Sequence, residues 1–231
     1  MPTFDAVLFD MDGTILDTLA DIGESMNRVL ISFGFAPHPL DAYRYFVGEG
    51  SAVLVEKALP EAARKPDIIQ KCLRGYQEDY GRHWRVHTRL YPGIAELLDA
   101  LVRKTIRMAI LSNKFHEFTL QCYEHFFGRW PFDPVLGIRE GIPRKPDPTA
   151  ALEVAEYLGL SPSRILYVGD TAVDMQTAVS AGMFPVGVLW GFRGREELLT
   201  NGARFLAEHP VQILETFFDA PSKRADLTEG T

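Results

Sequence analysis

Short apolar stretches recur along the chain with helical patterns between them, and this alternation restricts the possible fold most strongly. Four of them have the length and composition of buried strands: Phe4 to Phe9, Ile106 to Ser112, Ile165 to Asp170 and Phe184 to Trp190. A weaker strand is predicted near residues 135–138. Apolar residues between these stretches follow helical spacing. The alternation predicts a Rossmann-like α/β fold with a mostly parallel sheet, covered by helices on both faces.

The interval between the first two strands is longer than this alternation requires. A parallel crossover needs roughly a dozen residues or a little more, but the interval contains three helical patterns: one from Ile22 to Phe33, one in the segment SAVLVEKAL, and one from Asp67 to about His87. We therefore predict that residues 16–88 form a helical domain inserted after the first strand. Residues 1–15 and 89–231 would form the α/β core.

Charge and composition exclude several classes of protein. The formal net charge is −7, which argues against non-specific nucleic-acid binding, because that needs basic surface to replace counterions on phosphates. The first ten residues lack the basic and apolar regions of a secretory signal, and no apolar run approaches the ~20 residues of a membrane helix. The two cysteines, Cys72 and Cys122, are expected to be free thiols. We expect a cytoplasmic protein without nucleic-acid or membrane partners.

Polar side chains collect where the predicted strands end, which is where ligands bind in open α/β sheets. They are Asp10, Asp12 and Thr14 after the first strand (with Gly13 between them), Ser112, Asn113 and Lys114 after the second, Lys145 in the segment RKPDP, and Asp170 and Asp174 in GDTAVD. Clustered carboxylates repel one another unless a cation lies between them, and oxygen ligands suit Mg²⁺. A lysine beside them could hold an anion that the metal also contacts. Together they predict a phosphoryl site.

Each of these motifs has an ordinary structural explanation when taken alone. An EF-hand loop also begins Asp-x-Asp, but its glycine is the sixth residue, whereas Gly13 is the fourth residue counted from Asp10. Ser-Asn-Lys and GDTAVD are typical of helix caps, and KPDP is typical of a turn. The functional interpretation depends on their joint order and on their placement at successive strand ends.

In that order the motifs resemble those of the haloacid dehalogenase superfamily, whose members are mostly phosphatases. DMDGT at 10–14, Ser112, Lys145 and GDTAVD at 169–174 correspond to its four motifs, and the helical insertion resembles its C1 cap. Within the superfamily the chain most resembles phosphoglycolate phosphatases. This similarity is found in VGEGSAVLVEKALP, in YPGI and in WGFRGREELLTNGARFLAEHP.

The resemblance implies a role for each motif residue. Asp10 would be the nucleophile that forms an aspartyl-phosphate, and Asp12 the general acid and base. Lys145 would neutralise charge on the nucleophile and the transferring group. Phosphate would be bound by Gly13, Thr14, Ser112, Asn113 and Lys145. Mg²⁺ would be held by Asp10, by the backbone carbonyl of Asp12 and by Asp170, with Asp174 in support, and the cap would enclose a small phosphorylated substrate such as 2-phosphoglycolate.

Several alternatives stay open at the level of sequence. A phosphosugar mutase of the same superfamily would usually carry a Glu-Asp pair where this chain has Gly169-Asp170, and a dehalogenase would lack Asp12. A pyrophosphatase, a nucleotidase or a phosphate-binding protein without turnover is also possible. The sequence does not distinguish Mg²⁺ from Mn²⁺ or a monomer from a homodimer. Gly48 to Gly50 could present amides to an anion at a helix start, and Arg44, Lys57 and Arg82 are cationic candidates in the cap.

Overall fold

A computed structural model describes residues 3–219 of the chain. Within this range it contains eight strands: β1 (Ala6–Phe9), β2 (Leu16–Asp17), β3 (Arg89–Leu90), β4 (Arg107–Phe115), β5 (Phe132–Ile138), β6 (Ile165–Gly169), β7 (Phe184–Val188) and β8 (Phe205–Ala207). The α-helices are α1 (Leu19–Ser32), α2 (Tyr43–Phe46), α3 (Ser51–Ala58), α4 (Pro66–His83), α5 (Ile94–Arg103), α6 (His116–Cys122), α7 (Thr149–Tyr157), α8 (Ala172–Ser180), α9 (Arg195–Thr200) and α10 (Val211–Phe217). The predicted core residues 1–2 and 220–231 lie outside the described range.

Six of the strands form one parallel sheet in the order β5-β4-β1-β6-β7-β8. The predicted α/β fold with a parallel sheet is therefore confirmed. β1 lies at the centre, between β4 and β6, and all four of its residues are buried. Because neighbouring parallel strands end at the same edge of a sheet, the residues that follow β1, β4 and β6 come together there.

Both faces of the sheet are covered, as the apolar composition of β1 requires. Its side chains alternate between the faces, as successive residues of a strand do. Val7 and Phe9 belong to one apolar cluster, which also contains Leu97 and Leu101 of α5. Ala6 and Leu8 belong to a second cluster with Val154 and its neighbours on α7. Burial of β1 on both faces fixes the direction in which the next residues leave the sheet.

Some element boundaries differ from those predicted. β4 continues to Phe115 instead of ending at Ser112, so Ser112, Asn113 and Lys114 lie within the strand. α4 ends at His83 instead of near His87. The edge strand β8 was not predicted, because its three residues give no apolar run long enough to recognise.

Helices α1 to α4 occupy the long interval between β1 and β4. The chain leaves and re-enters through the antiparallel ribbon of β2 and β3, in which Leu16 pairs with Leu90. Beside this ribbon the buried carboxylate of Asp21 accepts hydrogen bonds from the backbone amides of His87 and Thr88 and from the Thr88 hydroxyl. That 16–88 forms a domain of its own stays a prediction.

Two further observations concern the described residues as a whole. None of the helices within 3–219 is both long and apolar enough to span a bilayer. Cys72 and Cys122 are both buried, and neither forms a disulfide, which agrees with the expectation of free thiols.

Candidate active site

The turn after β1 directs the two aspartates that follow it out of the sheet. The amide of Asp10 still donates to the carbonyl of Val168 on β6, at 2.9 Å. Gly13 then adopts a left-handed conformation with φ of 89°, and its amide donates to the carbonyl of Leu16 at 2.8 Å. A Cβ atom at Gly13 would lie 2.3 Å from a carboxylate oxygen of Asp170. Both the backbone conformation and the lack of space require glycine here.

Three buried carboxylates meet beyond the ends of β1 and β6. Asp10, Asp170 and Asp174 each offer an oxygen, and these oxygens lie within 4.8 Å of one another. Burial raises the pKa of Asp10 to about 7, with Asp174 adding to the rise and Lys145 opposing it. Burial also raises the pKa of Asp170 well above its ordinary value, with the charges of Asp10 and Asp174 acting in the same direction. A further cation beside these carboxylates would stabilise their ionised forms.

A hard divalent cation fits this cluster. The three side-chain donors are carboxylate oxygens, which Mg²⁺ prefers, and three buried carboxylates against the ammonium of Lys145 leave negative charge that a cation would offset. The carbonyl of Asp12, predicted as a further ligand, follows Asp10 by two residues. Asp174, predicted only to support the metal, lies within the carboxylate cluster itself.

Lys145 is the buried cation of this cluster. Its ammonium donates to Asp10 at 2.7 Å, to Asp174 at 2.7 Å and to the carbonyl of Leu111 at 3.1 Å. Burial alone would lower the pKa of Lys145, but Asp10 and Asp174 raise it above its ordinary value. Lys145 therefore stays charged beside the predicted nucleophile.

Asp174 is fixed by the start of α8. Its second oxygen accepts from the Thr171 amide at 3.1 Å and from the Thr171 hydroxyl at 2.6 Å, which forms a capping box. Gly169 allows this arrangement, because a Cβ atom there would lie 2.3 Å from the Cβ of Asp174. The motif GDTAVD thus combines a helix cap with a site carboxylate.

Asp170 is held by two donors from different loops. One oxygen accepts from the Thr14 hydroxyl at 3.1 Å, and the other accepts from the Phe192 amide at 2.7 Å. Thr14 is completely buried, and its carbonyl accepts from the indole of Trp190. Neither Gly13 nor Thr14 lines the cavity described below. The phosphate contacts of these two residues stay predictions, and the Thr14 hydroxyl orients Asp170.

Asp12 has a partner that the sequence analysis did not assign. The ammonium of Lys114 lies 2.9 Å from both carboxylate oxygens of Asp12, and both side chains are largely buried, with 6% and 12% exposed. The ammonium also lies 4.8 Å from the centre of the Tyr80 ring on α4. A predicted β4 that continued past Ser112 would have placed Lys114 at the site, because residues 112 and 114 of one strand point to the same side.

Asn113 joins the core to the loop before α3. Its side-chain amide donates to the carbonyls of Gly48 and Lys145, and its oxygen accepts from the Lys145 amide. Both of its donor contacts thus go to backbone, so the predicted phosphate contact of Asn113 would need one of them to be exchanged. The Ser112 hydroxyl oxygen accepts from the Lys114 amide and stays available as a donor.

One cavity is lined by most of these groups, though not by Asp170, and by residues of the helices between β1 and β4. The core contributes Asp10, Asp12, Ser112, Asn113, Lys114, Lys145, Thr171 and Asp174, and the helical segment contributes Ile22, Val47, Gly48, Gly50, Ser51, Leu54 and Tyr76. The predicted GEG turn therefore borders the site at the start of α3. Arg44 and Lys57 do not line the cavity: Arg44 donates to the carbonyl of Gly191, and Lys57 pairs with Glu49. The lining does not include Arg82 either.

The site combines a buried aspartate after the central strand, a lysine bound to it and further carboxylates. This arrangement is typical of α/β enzymes whose active site is built from carboxylates. Comparison with known proteins assigns the family. The family model described as haloacid dehalogenase-like hydrolase matches residues 7–188. The chain belongs to the haloacid dehalogenase-like hydrolases, which confirms the resemblance seen in its motifs.

Similar proteins support the finer resemblance as well. The chain is 32% identical over 217 residues to a phosphoglycolate phosphatase of Pseudomonas putida, covering 90% of this chain and 75% of that protein. It is 33% identical over 195 residues to a phosphoglycolate phosphatase of Nitrosospira multiformis, covering 83% and 86%. A solved structure from Lactobacillus delbrueckii subsp. bulgaricus, to which the same activity has been assigned by inference, superposes with a TM-score of 0.87 at 30% identity, covering 93% and 98%. The prediction of an enzyme similar to phosphoglycolate phosphatases is therefore confirmed.

Proposed function

We propose that the protein is a Mg²⁺-dependent phosphatase that hydrolyses 2-phosphoglycolate through an aspartyl-phosphate intermediate. The observation that carries this proposal is the buried Asp10, ion-paired with Lys145 and grouped with Asp170 and Asp174. The relatives named above as phosphoglycolate phosphatases support the choice of substrate. The proposed site of action is the cytoplasm.

The chemistry follows from the placement of the two aspartates. A carboxylate oxygen of Asp10 attacks phosphorus, the bond from phosphorus to the ester oxygen breaks, and Asp12 donates a proton to the departing alkoxide. Asp12 then removes a proton from water, which attacks phosphorus and releases phosphate and the carboxylate of Asp10. Lys145 holds Asp10 in place and offsets negative charge. Bound by Asp10, the Asp12 carbonyl and Asp170, Mg²⁺ would supply positive charge against the phosphate.

We propose that residues 16–88 act as the cap over this site, on a core formed by 1–15 and 89–231. Three arginine contacts support this proposal: Arg144 donates to the carbonyl of Glu49, Arg193 donates to the carbonyl of Val47, and Arg44 donates to Gly191 from the cap side. The first two, together with Asn113, hold the loop before α3 against the core, and Arg44 holds α2 there. A cap in this position excludes water and contacts the leaving group.

The space around Gly169 favours a phosphatase over the mutase alternative. The mutase pattern has glutamate at this position, but here a Cβ atom would collide with the Cβ and Cγ of Asp174, at 2.3 and 2.5 Å. Accepting glutamate would displace Asp174 and its contact with Lys145. Asp12 lines the cavity, which disfavours a dehalogenase that lacks this carboxylate.

Phosphate release from a panel of esters tests the proposal. The panel contains 2-phosphoglycolate, sugar phosphates, nucleotides and pyrophosphate, each with Mg²⁺, with Mn²⁺ and with EDTA. We expect release that needs a divalent metal and favours 2-phosphoglycolate. Metal-dependent release that favours another ester would refute the substrate, and the absence of release from all of them would refute the phosphatase.

The substitution Asp10→Asn tests the nucleophile separately. We expect turnover of 2-phosphoglycolate to be lost, while the variant still folds and still binds orthovanadate as a phosphate analogue. Asp67→Asn, on the exposed first turn of α4, is the matched control and should leave turnover unchanged. Turnover retained in Asp10→Asn would refute the assignment of the nucleophile.

A further inference from the structure

The two lysines of the cavity differ in the hydrogen-bonding capacity that they have left. An ammonium group has three donors. All three donors of Lys145 form hydrogen bonds, to Asp10, to Asp174 and to the carbonyl of Leu111. Two donors of Lys114 form hydrogen bonds, one to each oxygen of Asp12, and its third donor has no acceptor among residues 3–219. Lys114 can therefore bind one more anion without releasing Asp12.

The position of Lys114 is where the leaving group of a substrate would lie. Under the proposed function Asp12 donates its proton to the ester oxygen, so this oxygen lies beside the Asp12 carboxylate. In 2-phosphoglycolate one methylene group separates the ester oxygen from the carboxylate. The carboxylate of the substrate would thus lie close to that of Asp12, and once Asp12 has given up its proton the two anions repel each other unless a cation contacts both.

The surroundings of Lys114 fit a small anion. The ammonium is buried and backed by the ring of Tyr80, so that solvent screens its charge little. Gly50, which precedes the first residue of α3, lies directly over this part of the core, since a Cβ atom on Gly50 would be 3.3 Å from the carbonyl of Asn113. Gly50 and Ser51 line the same cavity.

We propose that Lys114 determines specificity by binding the carboxylate of the substrate's leaving group while it remains paired with Asp12. This inference rests on the proposed phosphatase function, and it extends that function to leaving groups that carry a carboxylate next to the ester carbon. The neighbouring cations do not fill the same role, because Arg44, Arg144 and Arg193 donate to backbone carbonyls and do not line the cavity.

A pair of substrates of equal length tests the proposal: 2-phosphoglycolate and 2-hydroxyethyl phosphate, which has a hydroxymethyl group in place of the carboxylate. The readout is the ratio of their kcat/KM values in the wild type and in Lys114→Met. A hydrogen bond between charged groups corresponds to about a 10- to 100-fold change, so we expect the ratio to fall by that factor. The ratio separates the two possible roles, because a lysine that only positions Asp12 would affect both substrates equally.

Further variants serve as controls. Lys114→Arg keeps the charge and should retain most of the preference, whereas Lys114→Gln should lose it and replaces Lys114→Met if that variant does not fold. Lys57→Met, a cap lysine paired with Glu49 outside the cavity, should leave the ratio unchanged. Inhibition by inorganic phosphate should stay within severalfold in every variant, since the phosphate subsite is intact.

The outcomes distinguish failure of this inference from failure of the proposed function. If the wild type prefers 2-phosphoglycolate and both Lys114→Met and Lys114→Gln keep that preference, Lys114 does not bind the carboxylate and the inference is overturned alone. If the wild type prefers another carboxylated ester and Lys114→Met loses that preference, the inference holds and the substrate is wrong. If the wild type has no preference for carboxylated esters, both are overturned.

Discussion

The buried carboxylates make the stability of the metal-free protein depend on pH in an unusual direction. Ionisation of an aspartate usually stabilises the folded protein, because the pKa of the group is usually lower in the folded than in the unfolded state. Burial instead raises the pKa of Asp10 from 3.8 to about 7. Between these values the folded protein keeps a proton that the unfolded chain has released. The free energy of unfolding should therefore be highest below pH 4 with respect to this group, and should decrease as the pH rises towards 7.

The size of the effect follows from the shift in pKa. A shift of about three units corresponds to roughly 4 kcal/mol, of which most is lost between pH 4 and 7. In a protein of this length about 1 kcal/mol corresponds to a change of roughly 2–4 °C in the melting temperature. Burial raises the pKa of Asp170 as well, so this second carboxylate adds to the decrease. Mg²⁺ should reverse it, because a bound cation stabilises the ionised carboxylates.

Urea unfolding at several pH values from 5 to 8 measures the effect, in EDTA and in excess Mg²⁺. The variant Asp10→Asn isolates the contribution of Asp10, because it cannot ionise and should show a shallower decrease with pH. The difference between the wild type and the variant removes the contribution of histidines and other groups that titrate in this range. A metal-free wild type whose stability rises or stays constant relative to Asp10→Asn would refute the reasoning, as would a pH dependence that Mg²⁺ leaves unchanged.

Two further predictions concern residues that shape the site. Gly169→Ala should lower the free energy of unfolding by about 1–3 kcal/mol through overpacking and should reduce kcat by displacing Asp174; equal activity and stability in urea and phosphate-release assays would contradict this. Asp21→Ala leaves the amides of His87 and Thr88 without their acceptor and should cost about 2–4 kcal/mol, whereas the exposed control Asp67→Ala should change stability by less than about 0.5 kcal/mol.

The sheet and the strand-end residues could be predicted from the sequence because both depend on local patterns. β1 and β6 are short apolar runs between polar residues, and β7 lies in an apolar run between Gly182 and Gly191. Asp10, Asp170 and Lys145 follow from the rule that parallel strands end at one edge of the sheet. The order β5-β4-β1-β6 then brings the residues that follow β1, β5 and β6 to one edge, where Asp10 contacts Lys145 and lies beside Asp170.

Contacts between distant side chains could not be predicted in the same way. The sequence shows that Thr14 follows Gly13, but only the packed structure shows the Thr14 hydroxyl on Asp170 and not on the cavity wall. The end of β4 was also placed too early, because Ser112, Asn113 and Lys114 are polar and interrupt the apolar run. In the structure these polar residues stay in the strand, since their partners are supplied by the site itself.

The pairing of Lys114 with Asp12 shows why this limit affects function as well as structure. Buried charges are tolerated when they are paired, and a search for a cation near each predicted carboxylate would have assigned Lys145 to the cluster and left Asp12 without a partner. The structure gives each of the two predicted catalytic aspartates its own lysine, at 2.7 Å for Asp10 and 2.9 Å for Asp12. Lys145 has no hydrogen-bond donor left, whereas Lys114 has one. The lysine that holds the nucleophile is therefore separate from the lysine proposed to bind the carboxylate of the substrate. Substitutions at Lys145 should therefore affect all phosphate esters alike, whereas substitutions at Lys114 should change which ester is preferred.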